Sequence, residues 1–275
     1  MFAETFTPVI QSAWLLWLLA GLGLVAGLWN ERTRAGTVFL LGVFVFSFLA
    51  LSAGFYFREH YFIFILPAVS LFAGVAVITL CNVANGRRRL VRFAPFLLFC
   101  VMLSQPMLAE RKFYFEVSPV EASRMAYGPN PFPESVRVEE YLRDHTDAGD
   151  TIAVLGSEPQ IYFYSKRHSA TGYIYTYGLM EPQKYARQMQ EEMIRQIESA
   201  RPKYLIWINV SSSWVRRPGA ESLIFAWSND YIQKFYDVVG IVNILSRDHT
   251  DYYFDQLPTP MPQLGNYIFI CRRKS

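Results

Sequence analysis

Two clusters of polar residues in this 275-residue chain have side chains that could do chemistry. The first, Arg58, His60 and Tyr61, stands between two long runs without charge, residues 35–57 and 61–86. A guanidinium can hold two phosphate oxygens at once, and a neighbouring imidazole can donate a further hydrogen bond. The cluster therefore suits a site for a lipid-linked phosphate. The alternative is a charged cap that stops two membrane helices from sliding into lipid.

The second cluster comprises Ser157, Glu158 and Gln160, which follow one predicted strand, and Asn209, which ends another just before the serines at 211–213. Ligands of open α/β sheets bind outside the carboxyl ends of the strands. These side chains therefore predict a small polar crevice that could hold a sugar. The alternative is structural: the Ser157 hydroxyl caps the following helix, and Asn209 turns the chain.

The remaining composition argues against several other classes of function. A formal net charge of +3 is too small to indicate a nucleic-acid partner. The histidines and cysteines lack the spacing of metal ligands, a disulfide framework or a redox pair. We expect no metal and no cofactor, and we assign no catalytic residue.

The elements that must position the first cluster are membrane helices. Four apolar runs are about as long as a bilayer crossing requires, and they predict transmembrane helices at about residues 8–29, 37–57, 61–82 and 93–109. The loop after the third run contains Arg87, Arg88, Arg89 and Arg92. The positive-inside rule places that loop in the cytoplasm, so the Arg58 turn and both ends of the chain are expected outside an inner membrane.

The second cluster is expected in an α/β domain on the extracytoplasmic side. Residues 111–133, which are rich in proline near their end, are read as a linker, and residues 134–275 as the domain. Strands are predicted at 151–155, 170–177, 203–209, 238–245, 251–254 and 267–271, and helices at 134–145, 160–165, 181–200 and 221–235. Because strands alternate with helices, the sheet is expected to be mostly parallel.

Four segments carry a resemblance to a known family: FREHYF at 57–62, LPAVSLFAG at 66–74, YLRDHT at 141–146 and EPQIY at 158–162. In this order the chain resembles bacterial GT-C glycosyltransferases of the protein O-mannosyltransferase and aminoarabinose-transferase type. The resemblance implies transfer of a sugar from a polyprenyl-phosphate donor on the outer face of the membrane. It also implies a catalytic Asp or Glu in the first of several extracytoplasmic loops.

The chain departs from that family pattern. It has four predicted spans where the family has many more, and Glu59 is the only acid in an outer loop between its spans. Beside Arg58, Glu59 could be an ionised base or simply half of a surface ion pair. The chain therefore looks like the C-terminal part of such an enzyme, with a missing N-terminal membrane part as a partner. The alternative function is a non-enzymatic, membrane-anchored α/β module that binds a glycan or a protein.

Overall fold

The computed structural model describes residues 2–55, 57–84 and 89–274, with residues 89–92 described by their backbone only. The chain divides into two compact units, Met1–Glu116 and Val117–Ser275. The boundary assigns residues 117–133 to the second unit. Within the predicted linker, residues 111–133, the chain forms a helix, Pro119–Tyr127, whose first turn is capped by the Ser118 hydroxyl.

The first unit is helical throughout its regular elements. Its α-helices are α1 (Phe2–Ser12), α2 (Trp14–Trp29), α3 (Glu31–Leu51), α4 (Leu66–Val83) and α5 (Arg89–Ala109). Short turns of 3₁₀-helix cover Ala53–Phe55 and Glu59–Ile65, and a π-helical turn covers Lys112–Glu116.

Two helical segments of the described chain are long and apolar enough to cross a membrane, Glu31–Leu51 and Glu59–Val83. α1 and α2 add a third span only if they count together, because they bend by 93° at Ala13, whose backbone is not helical. The apolar part of α5, Phe93–Ala109, is shorter. At about 1.5 Å per residue it extends about 26 Å, less than a hydrocarbon core of about 30 Å. The prediction of four spans is thus only partly confirmed.

Glycines allow α2 to lie close against its neighbours. A Cβ at Gly23 would collide with the Phe72 carbonyl on α4, and one at Gly27 with the Thr37 side chain on α3. Small residues four apart are a common way for membrane helices to bring their backbones together. Around this contact, Leu19, Ala20 and residues of α4 form a buried apolar cluster. The arginines at 87–92, which carry the predicted orientation, lie outside the residues whose side chains are described.

The second unit is an α/β structure. Its helices are α6 (Pro119–Tyr127), α7 (Phe132–His145), α8 (Pro159–Ser165), α9 (Tyr177–Met180), α10 (Ala186–Ala200), α11 (Ser211–Trp214) and α12 (Leu223–Phe235). Its strands are β1 (Thr151–Leu155), β2 (His168–Ser169), β3 (Tyr204–Asn209), β4 (Tyr236–Ile244), β5 (Thr250–Phe254) and β6 (Asn266–Arg273).

The sheet is mixed, with strand order β2-β1-β3-β6-β4-β5. β1 pairs in parallel with β2 and β3, as the alternation of strands and helices predicted. β6 then returns between β3 and β4, and its pairs with both are antiparallel, as is the β4–β5 hairpin. The expectation of a mostly parallel sheet therefore holds for one half only. A strand buried on both faces shows the same apolar run in either orientation, so the pattern could not distinguish them.

Helices cover both faces of this sheet. Ile152 and Val154 of β1 pack with residues of α7 and α8, whereas Ala153 and Leu155 pack with residues of α9, α10, α11 and α12. Successive side chains of a strand point to opposite faces, so a strand between two helical layers is apolar at every position. This arrangement explains why β1 and β3 could be recognised as strands from their sequences.

The predicted strand at 170–177 is wrong. Only His168–Ser169 pairs with β1, and the following residues form a loop. The Tyr173 hydroxyl donates to Glu192 at 2.7 Å, and the Tyr177 hydroxyl donates to the Ser212 carbonyl at 2.5 Å. The backbone N–H of Gly172 donates to the Gln196 side chain at 2.9 Å instead of to a neighbouring strand. The alternating tyrosines thus reach helices and loops on the same side of the unit, which the alternation alone did not reveal.

Candidate functional site

The carboxyl ends of β1 and β3 bring together the loop after β1 and the short helix α11. The Ser157 backbone N–H donates to the Ser213 hydroxyl at 2.9 Å. The same Ser213 hydroxyl donates to Oε2 of Glu158 at 2.8 Å. All three residues are buried. The sheet-edge argument therefore placed Ser157, Glu158 and the serines after β3 correctly as neighbours.

Thr176, from the loop that follows β2, completes this hydrogen-bonded cluster. Its backbone N–H donates to the Ser157 hydroxyl at 3.0 Å, and its own hydroxyl lies 2.9 Å from the same oxygen and donates to the Ser213 carbonyl at 3.3 Å. Ser157 therefore ties two loops together. The N-cap residue of α8 is Glu158, without a side-chain cap, so the capping alternative for Ser157 is wrong.

The cluster is packed too tightly for any side chain at Gly156. A Cβ there would lie 2.6 Å from both Ile208 Cγ1 and Ser213 Oγ and would collide with the Glu158 carboxylate. Distances this short require the surrounding atoms to move. Glycine at this position is thus what allows the buried carboxylate to sit directly beneath the end of β1.

The carboxyl of Glu158 is the electrostatically unusual group in this cluster. Burial raises its pKa from 4.5 to about 7, against the opposing effects of the hydrogen bonds from Ser213 and from the Ser157 backbone. Removing a carboxylate from water favours its neutral form, which is the dominant effect here. Glu158 can therefore exchange a proton near neutral pH, as groups in acid–base sites do. With 2% of its surface exposed, however, it does not open directly to a ligand.

An open groove lies beside this cluster, at the carboxyl end of β3. It has a volume of about 620 Å³. Its lining combines amides, aromatic rings and two arginines, without any carboxylate: Asn209, Val210, Ser211, Trp214, Val215, Arg216, Arg217, Pro218, Phe225 and Asn266. Such a lining suits a polar or anionic ligand with an apolar face, because rings and amides together recognise such molecules.

Local contacts hold the walls of the groove in place. The Trp214 indole N–H donates to the Ile208 carbonyl at 2.8 Å, and the Asn209 amide donates to the Gly265 carbonyl at 3.0 Å. The Arg216 guanidinium carbon lies 5.2 Å from the centre of the Phe225 ring, within the range of a cation–π contact. Sequence reasoning placed Asn209 at this edge but missed Trp214, Arg216 and Phe225, which no motif marks.

Gln160 does not join the predicted crevice. Its amide nitrogen donates to the Ser135 hydroxyl of α7 at 3.0 Å, so the side chain links α8 to α7. The four predicted crevice residues thus separate into three groups: Ser157 and Glu158 in the buried cluster, Asn209 in the groove, and Gln160 between two helices.

The Arg58 turn, in the first unit, leads into the apolar segment Glu59–Val83. Arg58 and His60 are exposed, and Tyr61 is half-buried, with its ring edge-on to the His60 ring at 4.7 Å between centres. The Tyr61 backbone N–H donates to the Arg58 carbonyl at 2.9 Å. Beneath the turn, Phe62 and Ile65 are buried in an aromatic cluster. The turn therefore presents a guanidinium and an imidazole on a firmly packed base.

No metal centre can be built from the described residues, since no three His, Cys, Asp or Glu side chains in that part of the chain are grouped to hold an ion. The sequence matches no protein-family model and no curated protein.

Proposed function

We propose that this chain takes part in the transfer of a sugar from a polyprenyl-phosphate donor at the outer face of the inner membrane. It would form the C-terminal membrane and extracytoplasmic portion of a glycosyltransferase, with both of its ends outside. The observation that carries the proposal is the exposure of Arg58 and His60 at the start of an apolar segment, Glu59–Val83, long enough to span a bilayer. A phosphate at headgroup depth would meet both side chains there.

The proposal gives each group a limited role. Arg58, supported by His60 and Tyr61, would bind the lipid phosphate. Glu59 is also exposed in this turn, next to Arg58 in the chain. The acid that activates the acceptor would come from a further membrane part, because the described outer turn between spans offers only Glu59.

The binding step is testable with the whole chain in lipid nanodiscs. We expect Arg58→Lys and Arg58→Ala to weaken polyprenyl-phosphate binding about 10- to 100-fold, because lysine lacks the planar fork that holds two phosphate oxygens. The matched control is Arg32→Ala, which removes another exposed arginine from the same unit. Insertion is checked by yield and thermal stability.

Equal affinity of the wild type, Arg58→Lys and Arg58→Ala for the lipid phosphate, at equal stability, would contradict the proposal. The charged turn would then serve membrane topology alone, since lysine anchors a helix end as well as arginine does.

A second function, a membrane-anchored module that binds a glycan without reacting with it, is favoured by the groove at the end of β3. An aromatic floor beside amides and arginines is a common setting for sugar binding. If this function holds, Asn209→Ala and Arg216→Gln should abolish binding of an anionic oligosaccharide, measured by quenching of Trp214 fluorescence. The Arg58 variants should then leave that binding unchanged.

A further inference from the structure

A second cavity of the extracytoplasmic unit lies between α6, α7 and the turn that joins β4 to β5. Its volume is about 530 Å³. Its lining contains three arginines and a histidine against two carboxylates: Val120, Arg124, Pro133, Glu134, Val136, Arg137, Arg247, Asp248, His249, Thr250 and Tyr252. None of these residues belongs to the groove at the end of β3 or to the Arg58 turn.

The back of the cavity is a buried ion pair. Arg124 donates to Oε1 of Glu134, and the Thr250 hydroxyl donates to the same oxygen at 2.7 Å. Arg124 and Glu134 are 4% and 1% exposed, so this carboxylate is already neutralised by its partner. Within the described part of the chain, the buried Nε of Arg124 and the buried Oε2 of Glu134 both have no hydrogen-bond partner, so the pair leaves one donor and one acceptor unpaired behind the cavity.

The front of the cavity carries two exposed arginines, Arg137 and Arg247, and an exposed histidine, His249. Arg247 and His249, in the β4–β5 turn, are exposed, and the described side chains give Arg247 no ion-pair partner. His249 Nε2 lies 3.0 Å from Oδ1 of the half-buried Asp251, and Arg137 Nε lies 3.7 Å from Oε2 of the partly exposed Glu140. Pairs at the surface contribute little to stability, so the Arg137 guanidinium and the His249 ring can turn to a ligand at small cost.

The cavity also has an apolar side. Val120 and Val136 line it, and Arg137 lies 6.0 Å from the centre of the Tyr252 ring. Tyr127 and Phe132 of the same two helices are exposed and pack edge to face, with ring centres 5.1 Å apart. Exposed rings next to a cationic cavity fit a ligand that has an anionic head and an apolar body.

We propose that this cavity binds the phosphate group of a phosphomonoester, with Arg137 and Arg247 as its ligands and His249 as a further donor. The phosphate could belong to a lipid headgroup or to a free, soluble molecule. Guanidinium groups suit either source, because they hold phosphate oxygens with paired, charge-assisted hydrogen bonds. The site is independent of the proposed transferase chemistry.

The test uses the full chain in detergent, carrying Arg58→Ala so that the membrane turn cannot contribute. Binding of inorganic phosphate and of dihexanoyl phosphatidic acid is measured by calorimetry, with dihexanoylglycerol as the probe that lacks phosphate. We expect saturable binding of at least one phosphate probe and none of dihexanoylglycerol. The double variant Arg137→Gln/Arg247→Gln should bind the phosphate probe about 10- to 100-fold more weakly. Arg143→Gln, an exposed arginine of α7 outside the cavity, is the matched control.

The two probes also identify the source of the phosphate. Tighter binding of phosphatidic acid, weakened by Phe132→Ser, would support the site and assign it to a lipid headgroup. Similar binding of both probes, unaffected by Phe132→Ser, would support the site and assign it to a soluble phosphate. No saturable binding of either probe, or equal affinity of the double variant and the control at equal thermal stability, would overturn the proposal.

Discussion

Replacing Glu158 by glutamine should remove a pH dependence from the stability of the second unit, Val117–Ser275. The folded state raises the pKa of this carboxyl from 4.5 to about 7 through burial. Between these two values the folded state binds a proton that the unfolded state has released. The free energy of unfolding must therefore fall as the pH rises through this window, and it levels off above pH about 7.

The size of the effect follows from the difference between the two pKa values. About 2.5 pH units, at about 1.4 kcal/mol each, give a loss of about 3 kcal/mol between pH 4.5 and 7. Little solvent screening reduces this figure, because the side chain is 2% exposed. Glutamine has nearly the same shape, and its oxygen can accept the hydrogen bond from Ser213. Glu158→Gln should therefore match the wild type near pH 4.5 and exceed it by up to about 3 kcal/mol at pH 8.

The measurement is urea unfolding of residues 117–275 between pH 4.5 and 8.5. Trp207, Trp214 and Trp227 all lie in this unit and report its unfolding by fluorescence. Glu140→Gln, which removes a partly exposed carboxylate of α7, is the matched control. Parallel stability curves for the wild type and Glu158→Gln would refute the reasoning, and so would a variant that is less stable at pH 8.

Two further predictions concern helix packing in the first unit and the orientation of the chain in the membrane. Gly23→Ala should destabilise the chain by about 1–3 kcal/mol, because the added methyl collides with the Phe72 carbonyl. The control is Gly21→Ala, whose added methyl meets no atom within 4 Å and should be neutral or slightly stabilising. Both variants are compared with the wild type by thermal unfolding in detergent. For the orientation, a cysteine replacing Met125 in a cysteine-free chain should react with an impermeant thiol reagent in intact spheroplasts, and one replacing Gly86 should not; the reverse pattern would invert the assignment of sides.

The strands that the sequence predicted best are those that are buried on both faces. β1 and β3 lie between two layers of helices, so all their positions except Thr151 and Asn209 are apolar and the run stands out from its polar flanks. The centre of β6, residues 267–271, is also apolar, but nothing in the local sequence indicates that it pairs with β3 on one side and β4 on the other. Orientation within a sheet depends on which distant strand becomes the neighbour, and that information is not contained in the period of the pattern.

In the first unit, too, the sequence predicted only the features that depend on a single segment. Hydropathy found the apolar segments around α3 and Glu59–Val83, because length and absence of charge are properties of each segment alone. It read residues 8–29 as one straight span, whereas the chain bends by 93° between α1 and α2. A bend depends on how the two pieces pack against neighbouring helices, and Ala13 at the break carries no sequence signal of a kink.

The candidate site could likewise be predicted only in part. The rule that ligands gather at the carboxyl ends of strands brought Ser157, Glu158 and Ser213 together, because strand ends can be located from the sequence. Thr176 escaped notice, since it comes from a loop that the alternating tyrosines made look like a strand. The raised pKa of Glu158 could not be predicted from the sequence, for a different reason. A glutamate after a strand reads as a surface acid, and it becomes a group that titrates near neutral pH only when α11 closes over it.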